Sequence, residues 1–365
     1  MRALAIICLL AGSAGLGFGD ERVAALVARE VERDGVGSVS IALVDGAKLV
    51  YTAAFGYADI ENKVTATPEH VYRIGSITKQ FTGLALLKMS REGVVSVSDP
   101  VERFVPEMSR IRDRVEGAPP ITLVQLATMT SGLAREPENL PTYLVGRADR
   151  WTEVVLEALP EVRYDFAPDT RYQYSNIGYA ILGLSLERAA KRDYMDYVRE
   201  ELLEPLKMID TDFVPRDHFE SRIAKGYRLK DGVVDFETPA EEHSGRGYKV
   251  PNGALYSTVV DLARFVSFQL GHGPESVIPQ AALEDNFDRV NSATGDLSSG
   301  YGIGFSVVRR GELVITGHGG SVAGYRAGAY FDRASGKGVV ILRNVTGGEL
   351  DVTELAMQVL ELVVS

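Results

Sequence analysis

The sequence predicts an α+β fold: an antiparallel β-sheet flanked by helices, with an inserted all-helical region. Three observations lead there. Alternating strand patterns lie near both ends of the 365 residues, the middle is helical, and one-sided apolar helices open and close the chain. Composition is that of an ordinary globular protein, 45% hydrophobic and 24% charged, long enough for a large core.

In chain order, Met1-Arg2, an apolar stretch from Ala3 to Ala11 and small residues up to Gly19 read as a signal peptide, 1–19, cleaved before Asp20. An exported, periplasmic or secreted protein is the expectation. The only cysteine, Cys8, lies inside that leader, so the mature chain has neither disulfide nor thiol nucleophile. The remainder, 20–365, is expected to be one catalytic unit. Its α/β part takes about 20–90 and 225–365, and its helical part about 91–224.

Asp20 to Arg33 carries Val23, Leu26, Val27 and Val31 on one side of a helix. Val39, Ile41 and Leu43 alternate, Asp45-Gly46 turns, and Leu49, Tyr51, Ala53 and Phe55 alternate again, which makes a hairpin. A helix follows from Ser76 to Met89. Leu123 to Met129, Trp151 to Leu159, Ile177 to Ala190 and Tyr194 to Leu203 give further helices, and the polar stretch from Arg135 to Arg150 a rim. After residue 225 come a helix from Asp261 to Leu270 and strands Gly302 to Val308, Leu313 to Gly317, Gly324 to Phe331 and Gly338 to Leu342. Leu350 to Val363 is a closing helix with one apolar stripe. The two terminal helices are expected on one face of the sheet and the Ser76 helix on the other.

Three clusters carry chemistry. Ser76 and Lys79 sit at i and i+3 in a first helical turn, on one side. A serine cap favours an acid in that turn. The lysine here lies at the positive end of the helix dipole, which lowers its pKa and suits it to serve as a base for the hydroxyl. Alone, the pair also reads as a surface cap with a solvated lysine. Tyr174-Ser175-Asn176 precedes a helix. It reads as core aromatics plus a cap, or as a phenol that ionises beside a cationic lysine with an amide to hold substrate. His318-Gly319-Gly320-Ser321 follows a strand and reads as a glycine turn, or as a lip where substrate backbone approaches and the Ser321 N–H joins that of Ser76 around an oxyanion.

In the order Ser-x-x-Lys, Tyr-x-Asn, His-x-Gly, the chain resembles the serine β-lactamase superfamily, in the branch of class C β-lactamases, D,D-carboxypeptidases and esterases of that fold. The stretches RIGSITKQFT, ITLVQLATMTSGL, QYSNIGYAILG and ALYSTVVDLARF stand in family order, and the resemblance covers nearly all of 20–365. It implies Ser76 as the acylated nucleophile, Lys79 as its activator and Tyr174 as proton shuttle to the leaving group and activator of the deacylating water. Asn176, His318, Gly319, Gly320 and Ser321 would bind substrate. His318 stands where β-lactamases of this branch have lysine. Its imidazolium is expected to anchor a substrate carboxylate, so that KM rises above pH 6.5 or so. Asn344 is expected to face the site and Met129 to line the pocket. Asp169 departs from a usual glycine, and Asn252 enters a stretch of small residues.

Other classes are excluded by pattern. Net charge is −11 without a basic stripe, which argues against nucleic acid. No segment after the leader is long and apolar enough to span a membrane. No Gly-x-Ser-x-Gly elbow occurs, and the histidines (His70, His218, His243, His272, His318) lack ligand spacing, so neither metal nor cofactor is expected. The function read here is a serine hydrolase that cleaves a peptide-like amide, of the D-Ala-D-Ala type or a β-lactam. A carboxylesterase using the same residues and a non-catalytic penicillin-binding scaffold or sensor are the alternatives. The partner is a small-molecule or peptide substrate.

Overall fold

The computed structural model describes residues 18–243, 246–287, 291–292 and 299–365. All of the proposed leader except Phe18 and Gly19 lies outside the described residues. The chain enters through helix α1 (Phe18–Asp34) and forms the hairpin β1 (Ser38–Asp45) and β2 (Lys48–Asp59), closed at Gly46 with φ +55°. The short strand β3 (Val64–Thr65) follows.

The sheet is completed from the far end of the chain by β4 (Asn291–Ser292), β5 (Ser299–Tyr301), β6 (Ser306–Arg310), β7 (Leu313–Val322), β8 (Tyr325–Asp332) and β9 (Lys337–Arg343). The nine strands are antiparallel in the order β3-β2-β1-β9-β8-β7-β6-β5-β4, so the two distant segments meet where β1 pairs with β9, Ile41 opposite Ile341. Successive side chains of a strand point to opposite faces, and both faces are buried. Val39, Ile41, Leu43, Val339 and Ile341 pack under α1 and the closing helix α5 (Val352–Val364), as expected.

On the other face lie Ala42, Ala54, Ala327, Ala329, Val340 and Leu342. That face is covered directly by α4 (Val259–Gln269), with helix α2 (Thr78–Arg91) packed against α4, Phe81 stacking on Phe265 at 4.3 Å between ring centroids. The Ser76 helix thus lies on the expected side of the sheet, with α4 between it and the strands. The small side chains let α4 come close. At Gly338 an added Cβ would stand 2.3 Å from a Val266 methyl.

Between Val101 and Arg222 the described elements are helices and single turns, the longest being α3 (Asn176–Ala190). Two strand boundaries differ from the sequence reading. Gly302 to Phe305 is a turn ahead of β6, and β7 does not stop at Gly317 but continues through His318-Gly319-Gly320-Ser321. The glycines argued for a turn on propensity, yet contact decides. An added Cβ at Gly320 would lie 2.0 Å from the Ile74 carbonyl, so a bare strand is what lets β7 run against the turn ahead of α2.

Candidate active site

Ser76 sits in a 3₁₀ turn, Gly75–Ile77, that leads straight into α2. Gly75 holds φ +51°, and an added Cβ there would meet the Ser321 nitrogen at 2.8 Å. The Ser76 turn and the Ser321 end of β7 are therefore in direct contact, which puts two backbone stretches at one lip, as an oxyanion pair requires.

Three residues on from Ser76, at the start of α2, Lys79 is fully buried. Its Nζ lies 3.2 Å from Ser76 Oγ, 2.7 Å from Asn176 Oδ1 and 2.8 Å from the Asn252 carbonyl oxygen. Burial drives this ammonium well below its ordinary pKa; Glu136 pulls it back, and Arg135 and Lys249 push it down further. A neutral amine has two N–H donors and one lone pair. Asn176 Oδ1 and the Asn252 carbonyl take the donors, which leaves the lone pair for the serine hydroxyl.

Tyr174 is carried by the loop before α3. Ser175 caps that helix, its Oγ accepting from Gly178 N at 3.0 Å and donating to the Ala134 carbonyl at 2.8 Å. Met129, fully buried with φ +61°, supports the loop from beneath, its sulfur accepting from Ser175 N at 3.2 Å and its carbonyl from Gln173 N at 2.8 Å. Met129 thus shapes the tyrosine loop and does not line an open pocket. The Tyr174 phenol faces Ser76, and Lys79 Nζ is 4.9 Å from its ring centroid. Burial pushes the phenol well up in pKa, outweighing the Ser76 hydroxyl and the Arg135 charge that lower it. The expected phenolate is therefore not favoured: burial keeps the proton on the phenol and pulls the lysine toward its neutral form.

His318 is buried in β7 against Tyr301 and Tyr174, ring centroids 5.6 and 6.1 Å away. Its Nδ1 donates to the Gly319 carbonyl at 2.5 Å, so Nε2 accepts from the Tyr301 hydroxyl at 2.9 Å. Burial first, then the Lys79 charge, pushes its pKa down to about 3. The expected imidazolium anchor is corrected to a neutral imidazole packed between Tyr301 and Tyr174.

Asn176 is engaged at both ends within the protein: its Oδ1 accepts from Lys79 and its Nδ2 donates to Glu136 Oε1 at 2.6 Å, which leaves one N–H and one lone pair of the amide uncommitted. Asn344 is not at the site at all. Buried at the end of β9, it accepts from Ser38 N at 2.6 Å and donates to the carbonyls of Tyr57, Ala58 and Lys225.

The residues that the sequence did not single out as functional are Glu136, Arg135, Tyr248 and Asn252. Asn252 gave one signal, as a polar residue among small ones, and its Nδ2 donates to the Asn176 carbonyl at 3.1 Å. Arg135 and Glu136 fall in the polar rim, without a motif. Arg135 lies 4.8 Å over the Tyr174 ring. The site thus brings together the Ser76 hydroxyl, the Lys79 amine, the Tyr174 phenol and the backbone at Ser321.

The comparisons with known proteins agree with this architecture. The chain is 25% identical over 328 residues to protein flp of Staphylococcus aureus (strain MW2), covering 89% of this chain and 63% of that protein. It is 28% identical over 310 residues to beta-lactamase-like protein 2 of Dictyostelium discoideum, 82% of this chain and 55% of the other. The chain therefore spans under two thirds of the length of these curated relatives. The octameric penicillin-binding protein homologue from Pyrococcus abyssi superposes with a TM-score of 0.79 at 26% identity, over 94% of this chain and 77% of that one. A D-amino acid amidase from Ochrobactrum anthropi SV3, solved with D-phenylalanine, gives 0.79 at 23% identity over 95% and 99%, a likeness of fold. No described helix is long and apolar enough to cross a membrane. The Beta-lactamase family model matches residues 23–363, almost everything that the structure describes, and the chain belongs to that family.

Proposed function

We propose that the protein is a serine hydrolase working through an acyl-enzyme on Ser76, and that its substrate is a peptide-like amide of the D-Ala-D-Ala type or a β-lactam. One observation carries the reading: a buried lysine nitrogen 3.2 Å from Ser76 Oγ, with its two N–H groups already directed elsewhere. Lys79 takes the hydroxyl proton as Oγ attacks the carbonyl carbon. The N–H groups of Ser76 and Ser321 hold the oxygen that becomes negative. Tyr174, held protonated by burial and facing Ser76, gives its proton to the leaving nitrogen and is reprotonated from Lys79. Water then enters where the amine left, and the same two groups take its proton as the acyl bond breaks. Removal of 1–19 and work outside the cytoplasm belong to the same proposal, supported by the apolar leader.

The protonated phenol favours amides, because an amine leaves only with a proton. The neutral His318, which offers a substrate carboxylate no fixed charge, favours the second reading, a carboxylesterase. Two measurements separate them. A fluorophosphonate or fluorescent penicillin labels Ser76 and not S76A; equal labelling of both refutes the acyl-enzyme. In a panel of D-aminoacyl peptides, cephalosporins and p-nitrophenyl esters, Y174F lowers kcat on amides by about 100-fold or more, the range of general acid catalysis. Its effect on the acylation burst with p-nitrophenyl esters is much smaller, since that leaving group departs without a proton. Equal losses on both classes rule out the acid role of Tyr174.

A further inference from the structure

We propose that Glu136 is a positioning residue for Lys79: its carboxylate fixes the Asn176 amide in the one orientation that turns Oδ1 to Nζ, and so keeps the lysine lone pair on Ser76. The inference rests on the acyl-enzyme reading and adds to it a residue outside the three motifs.

A carboxylate only accepts hydrogen bonds. Glu136 Oε1 receives Asn176 Nδ2 at 2.6 Å and Oε2 receives the Tyr248 hydroxyl, a side chain fully buried beside it. Glu136 itself is 23% exposed at its side chain, and Arg135 Nε stands 3.8 Å away. With Nδ2 committed to Glu136, Asn176 Oδ1 must face Lys79, at 2.7 Å. The ring closes through Asn252, whose Nδ2 donates to the Asn176 carbonyl and whose own carbonyl accepts from Lys79 at 2.8 Å. Turning the amide over would point N–H groups at Nζ. The lone pair would then accept from Asn176, and Ser76 would lose its base. An acceptor-only group at position 136 forbids that flip, whereas glutamine, with both an oxygen and an NH₂, permits it.

The second effect is electrostatic. Facing Lys79 are Glu136, the cations Arg135 and Lys249, the phenols of Tyr174 and Tyr179, and the imidazole of His318. Burial sets the low pKa of the lysine, and Glu136 acts against it by favouring the cation. Acylation rises with pH as Lys79 loses its proton, so removal of the Glu136 charge moves that acid limb to lower pH. An opposite charge at about 4–6 Å is worth about 1–3 units, and the partial exposure of Glu136 selects the lower end, about one unit.

The test is the rate of Ser76 labelling by a fluorophosphonate from pH 4 to 9, with kcat and KM for a p-nitrophenyl ester and a melting curve. E136Q is expected to acylate about tenfold or more slowly at its plateau, the scale of a misplaced catalytic group, with its limb about one unit lower and KM within about twofold. An unmoved limb with a wild-type plateau overturns the proposal, as does a change confined to KM, which would make Glu136 a substrate contact. Should E136Q not fold, E136D keeps the charge but shortens the reach. Its limb stays within about half a unit and its plateau falls, and a wild-type plateau in E136D overturns the positioning role. Failure of the underlying reading looks different: wild type and S76A are then labelled alike.

Discussion

Asn344 offers the sharpest separation of architecture from catalysis. Its amide ties three segments together at the edge of the β1–β9 seam. Oδ1 accepts from the Ser38 amide at 2.6 Å and the Ser38 hydroxyl at 3.0 Å, while Nδ2 donates to the carbonyls of Tyr57 (3.2 Å), Ala58 (3.2 Å) and Lys225 (2.9 Å). In N344A the Ser38 amide loses this acceptor in a site without solvent, worth about 1–3 kcal/mol. Three carbonyls lose a donor, at about 0.5–1 kcal/mol apiece because a carbonyl tolerates partial satisfaction better. The loss of stability comes to about 3–5 kcal/mol. For a chain of this size the urea dependence is at the upper end, about 3 kcal/mol per molar, so the midpoint falls by about 1 M or more. Circular dichroism in urea at pH 7 reads this directly. N344D falls further, since an acceptor then replaces the donor facing three carbonyl oxygens. Labelling of Ser76 in the folded fraction stays at the wild-type rate. A midpoint within about 0.3 M of wild type would refute the reasoning, and lost labelling at unchanged stability would return Asn344 to the site.

Two further outcomes follow from buried charge. Asp34 and Arg343 form an ion pair at 2.5 Å with both side chains at most 3% exposed, and Asp34 also accepts from the amides of Glu349 and Leu350. Burial raises the Asp34 pKa, but those amides and the guanidinium together hold it below the usual carboxylate range. A depressed folded pKa gives stability that is present above the unfolded value, about 4, and is lost as pH falls through the folded one. D34N therefore costs about 3–5 kcal/mol at pH 7, and the gap to wild type narrows below about pH 4; a gap independent of pH would contradict this. His318, with its pKa near 3, stays neutral through the working range, so the KM of a carboxylate-bearing substrate, taken relative to a neutral ester, is flat across pH 6.5. H318K supplies the missing cation and lowers that ratio several-fold, whereas a wild-type ratio that rises around pH 6.5 would restore the imidazolium.

Much of the framework was legible because it rests on local rules. Alternation in Val39-Ser40-Ile41-Ala42-Leu43 marks β1, and Ser175 caps α3 with its own oxygen, each a signal carried within four residues; the caps Thr258 and Asp351 went unread, and α4 and α5 begin at Val259 and Val352 rather than Asp261 and Leu350. Asp169, where the resemblance calls for glycine, indeed holds φ +64°, a left-handed conformation that aspartate tolerates. The second half of β7 was hidden because propensity is local and the reason for those glycines is not. Only Ile74, more than 240 positions earlier in the chain, shows why no Cβ fits at Gly320.

Charge states were hidden for the same reason. Ser76, Lys79, Tyr174 and His318 were identified by type and order, but their protonation depends on how much water the fold removes, and that is set jointly by α2, α3, β7 and the loop at Asn252. Helix-dipole reasoning pointed the lysine pKa in the right direction with too small a cause. A dipole acts on an exposed group by about 1 kcal/mol or less, whereas full burial shifts a lysine by several pKa units. The same burial lowers the pKa of Lys79 and His318 and raises that of Tyr174, since desolvation penalises whichever form is charged. Glu136 follows from this. Where burial drives its neighbours toward neutrality, a partly hydrated carboxylate can set their orientation, and the proposed route is Asn176, hydrogen-bonded to both Glu136 and Lys79.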